Sequence, residues 1–217
     1  MEHRNLSLGE QVFERLETDI LSGRYERGAL TSELRLCAEL SVSRTPVREA
    51  LNRLKAEHLV AESGKGIIIL GITKEDLSDI MDVRIKLDGD AAARCALCIS
   101  DEKIENLREI IELQEFYLDK GDNDRIKVMD GRFHEQIYAC SGSTILYEVL
   151  YPLHNKLQRY RRAALEATGR AERSVGEHRT IFEAIAAHDA DKAAEAMTRH
   201  AVNAKKSLLA AIKDNEK

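Results

Sequence analysis

Apolar side chains repeat at helical spacing in three short blocks near the start of the chain. Val12, Phe13, Leu16, Ile20 and Leu21 make the first stripe, Leu34, Leu36, Cys37 and Leu40 the second, and Val47, Ala50, Leu51 and Leu54 the third. Polar punctuation frames each block. Ser7-Leu8-Gly9-Glu10 has the form of a capping box, Gly23 suits the left-handed position beyond a helix end, and Tyr25-Glu26-Arg27-Gly28 reads as a turn. Thr31 or Ser32 opens the second helix. Ser43 or Thr45 caps the third, where Pro46 lacks only an N–H that would have had no partner. With Ser41-Val42 as the connection, residues 32–54 form a helix, a short turn and a second helix.

Past Leu59-Val60 the period switches. Ser63-Gly64-Lys65-Gly66 leads into the β-branched run Ile67-Ile68-Ile69-Leu70, so strand, glycine turn and strand make a hairpin with Lys65 at its tip. From Leu77 onward helical spacing returns and persists. Segments run from Leu77 to Leu97, Ile104 to Leu118, Val128 to Tyr138, Leu146 to Leu165, Val175 to His188 and Asp191 to Ile212. The pattern predicts a mainly α protein of two domains. Residues 1–72 form an N-terminal winged helix-turn-helix with a small β-hairpin wing, and residues 73–217 an all-α helical bundle of about six helices, large enough for its own core.

Composition agrees with a helical protein: tryptophan is absent and only two prolines occur in 217 residues. Charge narrows the function classes. The net charge is -5, and residues 1–72 hold 10 Lys plus Arg against 11 Asp plus Glu, which excludes a basic nucleic-acid coat. Any DNA affinity has to come from a local patch. No segment approaches the ~20 apolar residues that span a bilayer, and the start of the chain has no signal-peptide run, so a cytoplasmic protein without a membrane partner is expected. Cys37, Cys95, Cys98 and Cys140 show no framework of paired spacings; Cys95-Ala96-Leu97-Cys98 lies in an apolar helical run and reads as a pair of small core residues.

The third short helix carries the first candidate chemistry. In Ser43-Arg44-Thr45-Pro46-Val47-Arg48-Glu49-Ala50-Leu51, burying the apolar face leaves Arg44, Thr45 and Arg48 near the free N-terminal end. Backbone N–H groups and the helix dipole favour phosphate there, and two guanidinium groups suit phosphate oxygens and guanine edges. Ser43, Arg44, Thr45 and Arg48, with Lys65 and Gly66 on the wing, are the expected contacts to double-stranded operator DNA. Residues 8–70 resemble the DNA-binding domain of the GntR family of bacterial transcription regulators, most specifically through that nine-residue run. They depart from it at Arg27-Gly28, usually Pro-Gly, at Ser41 and His58, each usually Gly, and at Leu34, where many relatives carry an arginine.

Asp130 and His134 lie one helical turn apart, and His178 and His200 stand on later segments. By spacing alone, scattered core histidines are the simpler reading of these residues. Residues 75–212 also resemble the FadR-type ligand-binding domain known as FCD, through Arg84-Ile85-Lys86-Leu87-Asp88, Asp130-Gly131-Arg132-Phe133-His134, and Glu177-His178-Arg179-Thr180-Ile181-Phe182-Glu183-Ala184-Ile185 continuing to His200. That resemblance implies a divalent metal ion, zinc or nickel, held by Asp130, His134, His178 and His200. It also implies a ligand-responsive regulator, a repressor, released from a palindromic operator by a small carboxylate effector and acting as a homodimer. Arg84 suits the effector carboxylate, or else an ion pair with Asp88; Asn155, Arg159 and Arg161 are further candidates for the cavity. The competing class is a metal-dependent hydrolase or lyase using the Asp/His cluster to activate water, which leaves residues 8–70 without a task.

Overall fold

The computed structural model describes residues 7–157, 160, 161, 164, 165 and 169–215, with side chains as far as Ala211. The chain divides into two compact units, Met1–Thr73 and Lys74–Lys217.

The first unit contains α1 (Leu8–Leu21), β1 (Leu30–Thr31), α2 (Glu33–Leu40), α3 (Arg44–Ala56), β2 (Val60–Ser63) and β3 (Gly66–Ile69). α1 starts where the capping box puts it: Ser7 Oγ accepts from the Glu10 N–H at 3.2 Å, and the Glu10 carboxylate accepts from the Ser7 N–H at 3.0 Å. The apolar stripes then converge. Phe13 and Leu16 of α1, Leu36 of α2, Val47 and Leu54 of α3, and Leu59, Ile67 and Ile69 around the wing form one core, each gaining roughly 1.5–3 kcal/mol when fully buried.

The wing is broader than the hairpin read from sequence. Its strands run in the order β1-β3-β2, all antiparallel, with Leu30 opposite Ile68 and Val60 opposite Ile69. A two-residue strand is too short for alternation to register, so Leu30-Thr31 looked like the approach to a helix. Ser32, not Thr31, caps α2, its hydroxyl accepting from the Arg35 N–H at 3.2 Å. Gly66 admits β1: at φ +127° its missing Cβ would lie 2.6 Å from the Thr31 carbonyl oxygen.

The second unit is α4 (Lys74–Cys98), α5 (Asp101–Asp119), α6 (Asn123–Cys140), α7 (Thr144–Lys156), α8 (Arg170–Ala186) and α9 (Ala190–Asn215), with no strand among the described residues. Its main core joins Ala92 and Cys95 of α4, Leu107 and Ile111 of α5, Phe133 and Ile137 of α6, Ile181 and Ile185 of α8, and Met197 of α9. Two expectations need correction. The run Leu146–Leu165 is not one helix, because α7 stops at Lys156. The Leu157 N–H turns back to the His154 carbonyl at 3.2 Å, and Arg161 Nη2 donates to the same oxygen at 2.8 Å, a side-chain cap that periodicity does not reveal. Cys95 is a buried core residue, but Cys98 is exposed. Among the described residues no helix is long and apolar enough to cross a membrane.

Ser41, just past α2, and His58, just past α3, hold left-handed backbone at φ 55° and 57°. These are two of the positions where the family resemblance leads one to expect Gly, and a Cβ there is strained. Ser41→Gly and His58→Gly are each expected to stabilise the first unit by about 0.5–1 kcal/mol, read as a raised thermal midpoint; a lowered midpoint in both would contradict the strain.

Candidate functional site

On the first unit, α3 buries Pro46, Val47, Ala50, Leu51 and Leu54 and leaves Ser43, Arg44, Thr45 and Arg48 exposed at its start. Ser43 occupies the N-cap position, yet neither it nor Thr45 makes the side-chain cap expected of one of them. Lys65 is exposed in the β2–β3 turn, with Gly66 half-buried behind it. Leu34 of α2 is 61% exposed, an apolar side chain turned to solvent. One residue not foreseen from sequence organises the arginines. Glu33, the first residue of α2, accepts from Arg48 Nε at 2.7 Å and lies 3.7 Å from Arg44 Nε, and this hydrogen bond raises the Arg48 pKa. Solvent screens exposed pairs of this kind, so Glu33 does not lock either guanidinium in place.

On the second unit, α6, α8 and α9 bring Asp130, His134, His178 and His200 together, each buried and each offering one ligand atom within 4.8 Å of the others. Asp130 and His134 meet because α6 places them four residues apart on its inner face. His178 Nε2 stands 3.3 Å from His200 Nε2 and 3.6 Å from Asp130 Oδ1. The rings are fixed from behind. Gln114 Oε1 of α5 is 2.7 Å from His178 Nδ1, and Glu177 Oε2 is 2.7 Å from His200 Nδ1. Both Nδ1 atoms therefore donate, and both Nε2 atoms present lone pairs to the same point. Glu177 also binds Arg170 Nη1 at 3.1 and 3.0 Å and Asn203 Nδ2 at 2.9 Å.

Electrostatics keep the donor set in ligating form. Burial drives His134, His154 and His178 down, His178 to about 3, so all three are neutral at pH 7. Burial alone would raise the Asp130 carboxyl, but Arg161, then His178, His200 and Arg84, outweigh it and hold it ionised. Glu177 is brought to about 2 in spite of its burial, chiefly by the hydrogen bond from His200.

A small cavity opens beside the quartet, lined by Arg84, His154, Arg161, Arg170 and Ser207 among others. Arg84 is buried and makes the anticipated ion pair: Nη2 donates to Asp88 Oδ2 at 2.6 Å and to the Tyr138 hydroxyl at 3.3 Å. Arg161 Nη1 approaches Asp130 Oδ2 at 2.9 Å, a close ion pair without hydrogen-bond alignment. Asn155 is half-buried on α7, and Arg159 lies outside the described residues. His154 was missed by sequence reading. Its ring is buried 4.6 Å from that of His134, and its Nε2 stands 3.6 Å from Asp130 Oδ2. The signal was faint: one histidine a turn after Leu150 on the buried face of α7.

The donor set fits a divalent metal. Two imidazole lone pairs 3.3 Å apart repel unless a cation lies between them, and ligands at Zn–N and Zn–O bond lengths of ~2.1 Å stand about 3–4 Å from one another. Three imidazoles and a carboxylate suit zinc or nickel.

Residues 8–69 match the gntR family of bacterial regulatory proteins, and residues 79–203, more than half the chain, match the FCD domain. The chain belongs to the GntR family. This GntR-family protein is 28% identical over 190 residues to the gluconate operon transcriptional repressor of Bacillus licheniformis, covering 85% of the chain and 78% of that relative. It is 34% identical over 131 residues to the repressor of the same name in Bacillus subtilis, covering 60% of the chain and 54% of that relative. Escherichia coli McbR/YncC has the same fold, with a TM-score of 0.76 at 24% identity over 91% of this chain and 95% of that one. The family consists of DNA-binding transcription regulators, so the hydrolase or lyase reading is set aside.

Replacing His178 by Ala is expected to give a folded protein with little bound metal, measured by elemental analysis after purification from metal-supplemented medium. Glu177→Gln, which weakens the partner of His200 Nδ1, is expected to lower metal affinity by about 10–100-fold. Metal content equal to wild type in His178→Ala would count against the quartet as ligands.

Proposed function

We propose that this GntR-family regulator is a metal-containing repressor that grips a palindromic operator as a homodimer and lets go when a small organic acid enters the helical unit. The observation that carries this reading is a set of buried polar groups around one cavity whose hydrogen bonds are incomplete: Arg84 Nε and both ring nitrogens of His154 have no hydrogen-bond partner, and Asp130 Oδ2 and Arg161 Nη1 meet only in an unaligned ion pair. An unpartnered buried atom costs roughly 1–3 kcal/mol, so a polar ligand that completes several of these together gains affinity from doing so. Asp130, His134, His178 and His200 would hold the cation, which when bound supplies attraction for a carboxylate oxygen. Arg84 and Arg161 orient the acid, and His154 reads a neutral hydroxyl or carbonyl beside it. On the DNA side, two copies of α3 engage symmetric half-sites, which is the physical reason for a dimer. A regulator of this kind works on the chromosome, in the cytoplasm.

The effector shifts operator affinity by no more than its preference for one state, on the order of 1–3 kcal/mol, already ~10-fold in occupancy. The first test is a thermal-shift screen of small carboxylates, sugar acids included because two relatives are named for a gluconate operon. At least one acid is expected to raise the midpoint, and the rise is expected to vanish after chelation. A screen with no metal-dependent hit would overturn the sensing half of the reading. The DNA half predicts that Arg48→Ala weakens binding to the protein's own promoter by about 1–3 kcal/mol and binding to random duplex much less. Lys65→Ala is expected to weaken both alike and to flatten the salt dependence. Equal losses on both duplexes for Arg48→Ala would refute base reading by that side chain.

A further inference from the structure

We propose that the acid sensed by the helical unit is a 2-hydroxy acid, and that His154 selects it by accepting a hydrogen bond from the hydroxyl. This rests on the sensing reading above and narrows it, because the carboxylate of any organic acid would serve Arg84 and Arg161.

His154 lies on the inner face of α7, 1% exposed, and lines the cavity. Its ring is packed 4.6 Å from that of His134 and 6.1 Å from that of Tyr138. Neither ring nitrogen has a hydrogen-bond partner among the described residues. A neutral imidazole carries one N–H and one lone pair, so it wants an acceptor on one side and a donor on the other. Asp130 decides which side is which. Its Oδ2 stands 3.6 Å from His154 Nε2, and a carboxylate oxygen there attracts an N–H and repels a lone pair. The hydrogen therefore sits on Nε2, and Nδ1 is left as a buried acceptor with nothing to accept from. An imidazolium would carry a second N–H instead, but burial, then the charges of Arg161 and Arg84, oppose it.

Two other groups with incomplete hydrogen bonds at the cavity are donors. Arg84 Nε has no partner, and Arg161 Nη1 meets Asp130 Oδ2 at 2.9 Å without alignment. Both suit carboxylate oxygens. The ligand thus has to bring acceptors for the arginines and one donor for His154, and to bring them close together, because Arg161 Nη1 and His154 Nε2 flank the same Asp130 oxygen. A carboxylate with a hydroxyl on the adjacent carbon meets that demand. A keto oxygen would set lone pair against lone pair at Nδ1, and an unsubstituted acid brings no donor. An ammonium group brings donors, but places a positive charge beside two guanidinium groups. Cation binding does not account for His154, since the ligand atoms that gather within 4.8 Å of one another come from Asp130, His134, His178 and His200.

The test is calorimetric titration of the full-length, zinc-loaded protein with matched acids that carry a hydroxyl, keto, amino group or hydrogen on the second carbon. The sets are lactate, pyruvate, alanine and propionate; malate, oxaloacetate, aspartate and succinate; and gluconate with its 2-keto, 2-amino and 2-deoxy counterparts. In a set that binds, the hydroxy acid is expected to bind about 10–100-fold more tightly than its keto and unsubstituted partners. His154→Phe, which keeps a flat ring and removes both nitrogens, is expected to retain its metal by elemental analysis and to bind the members of that set alike. A keto or unsubstituted acid that binds wild type as tightly as the hydroxy acid would overturn this proposal and leave acid sensing standing. No binding in any set would overturn both. A hydroxyl preference that survives in His154→Phe, or loss of metal from that variant, would also remove His154 from the role.

Discussion

Two imidazole nitrogens that face each other with lone pairs, and are prevented from turning away, set the terms for the interior of the helical unit. Glu177 takes the Nδ1 proton of His200, and Gln114 takes that of His178, so neither ring can offer an N–H across the 3.3 Å that separates their Nε2 atoms. Protonation of His178 does not relieve the contact, because burial keeps that ring neutral far below physiological pH. A cation between them would relieve it, and Asp130 and His134 of α6 would complete its shell. Glu177 has a second task. By binding Arg170, His200 and Asn203 together it fixes the register of α8 against α9, so the group that orients a ligand also holds the helices that carry two of them.

Charge bookkeeping links the metal to the kind of effector proposed. Around the site, Asp88, Asp130 and Glu177 are matched by Arg84, Arg161 and Arg170, a balance without which burial would be costly. A divalent cation added to this balanced set makes the cavity positive. Arg161 does not yield its proton to compensate: burial lowers it, yet only to about 10. An organic anion would offset that charge in part or in full, and the arginines lining the cavity have the sign to attract it.

Much of the fold was legible because helices announce themselves locally. Periodicity located α1, α2 and α3 and most of the bundle, and Ser7, Ser32 and Gly23 marked ends that the backbone respects. What stayed hidden depends on partners distant in sequence. β1 exists only because Ile67 and Ile68 pair with it, and α7 ends at Lys156 because Arg161 reaches back to its last turn. The site divides the same way. Spacing alone could join Asp130 to His134, but only the family resemblance, and then the packing of α8 and α9, could bring in His178 and His200. His154 and Glu33 carried no such clue.

Arg84 bears on how such a site can be both stable and responsive. Read from sequence it had two exclusive roles, an ion pair with Asp88 or a grip on an effector. In the folded unit the ion pair uses Nη2, which also meets Tyr138, and leaves Nε buried with no partner. A guanidinium has five donors in a rigid plane, so the two roles need not compete. Asp88 anchors the plane, and the unused edge would remain for a ligand. A preset arginine of this kind would lose little rotamer freedom on binding, so more of the interaction energy of the proposed effector would remain to bias one state of the regulator over another.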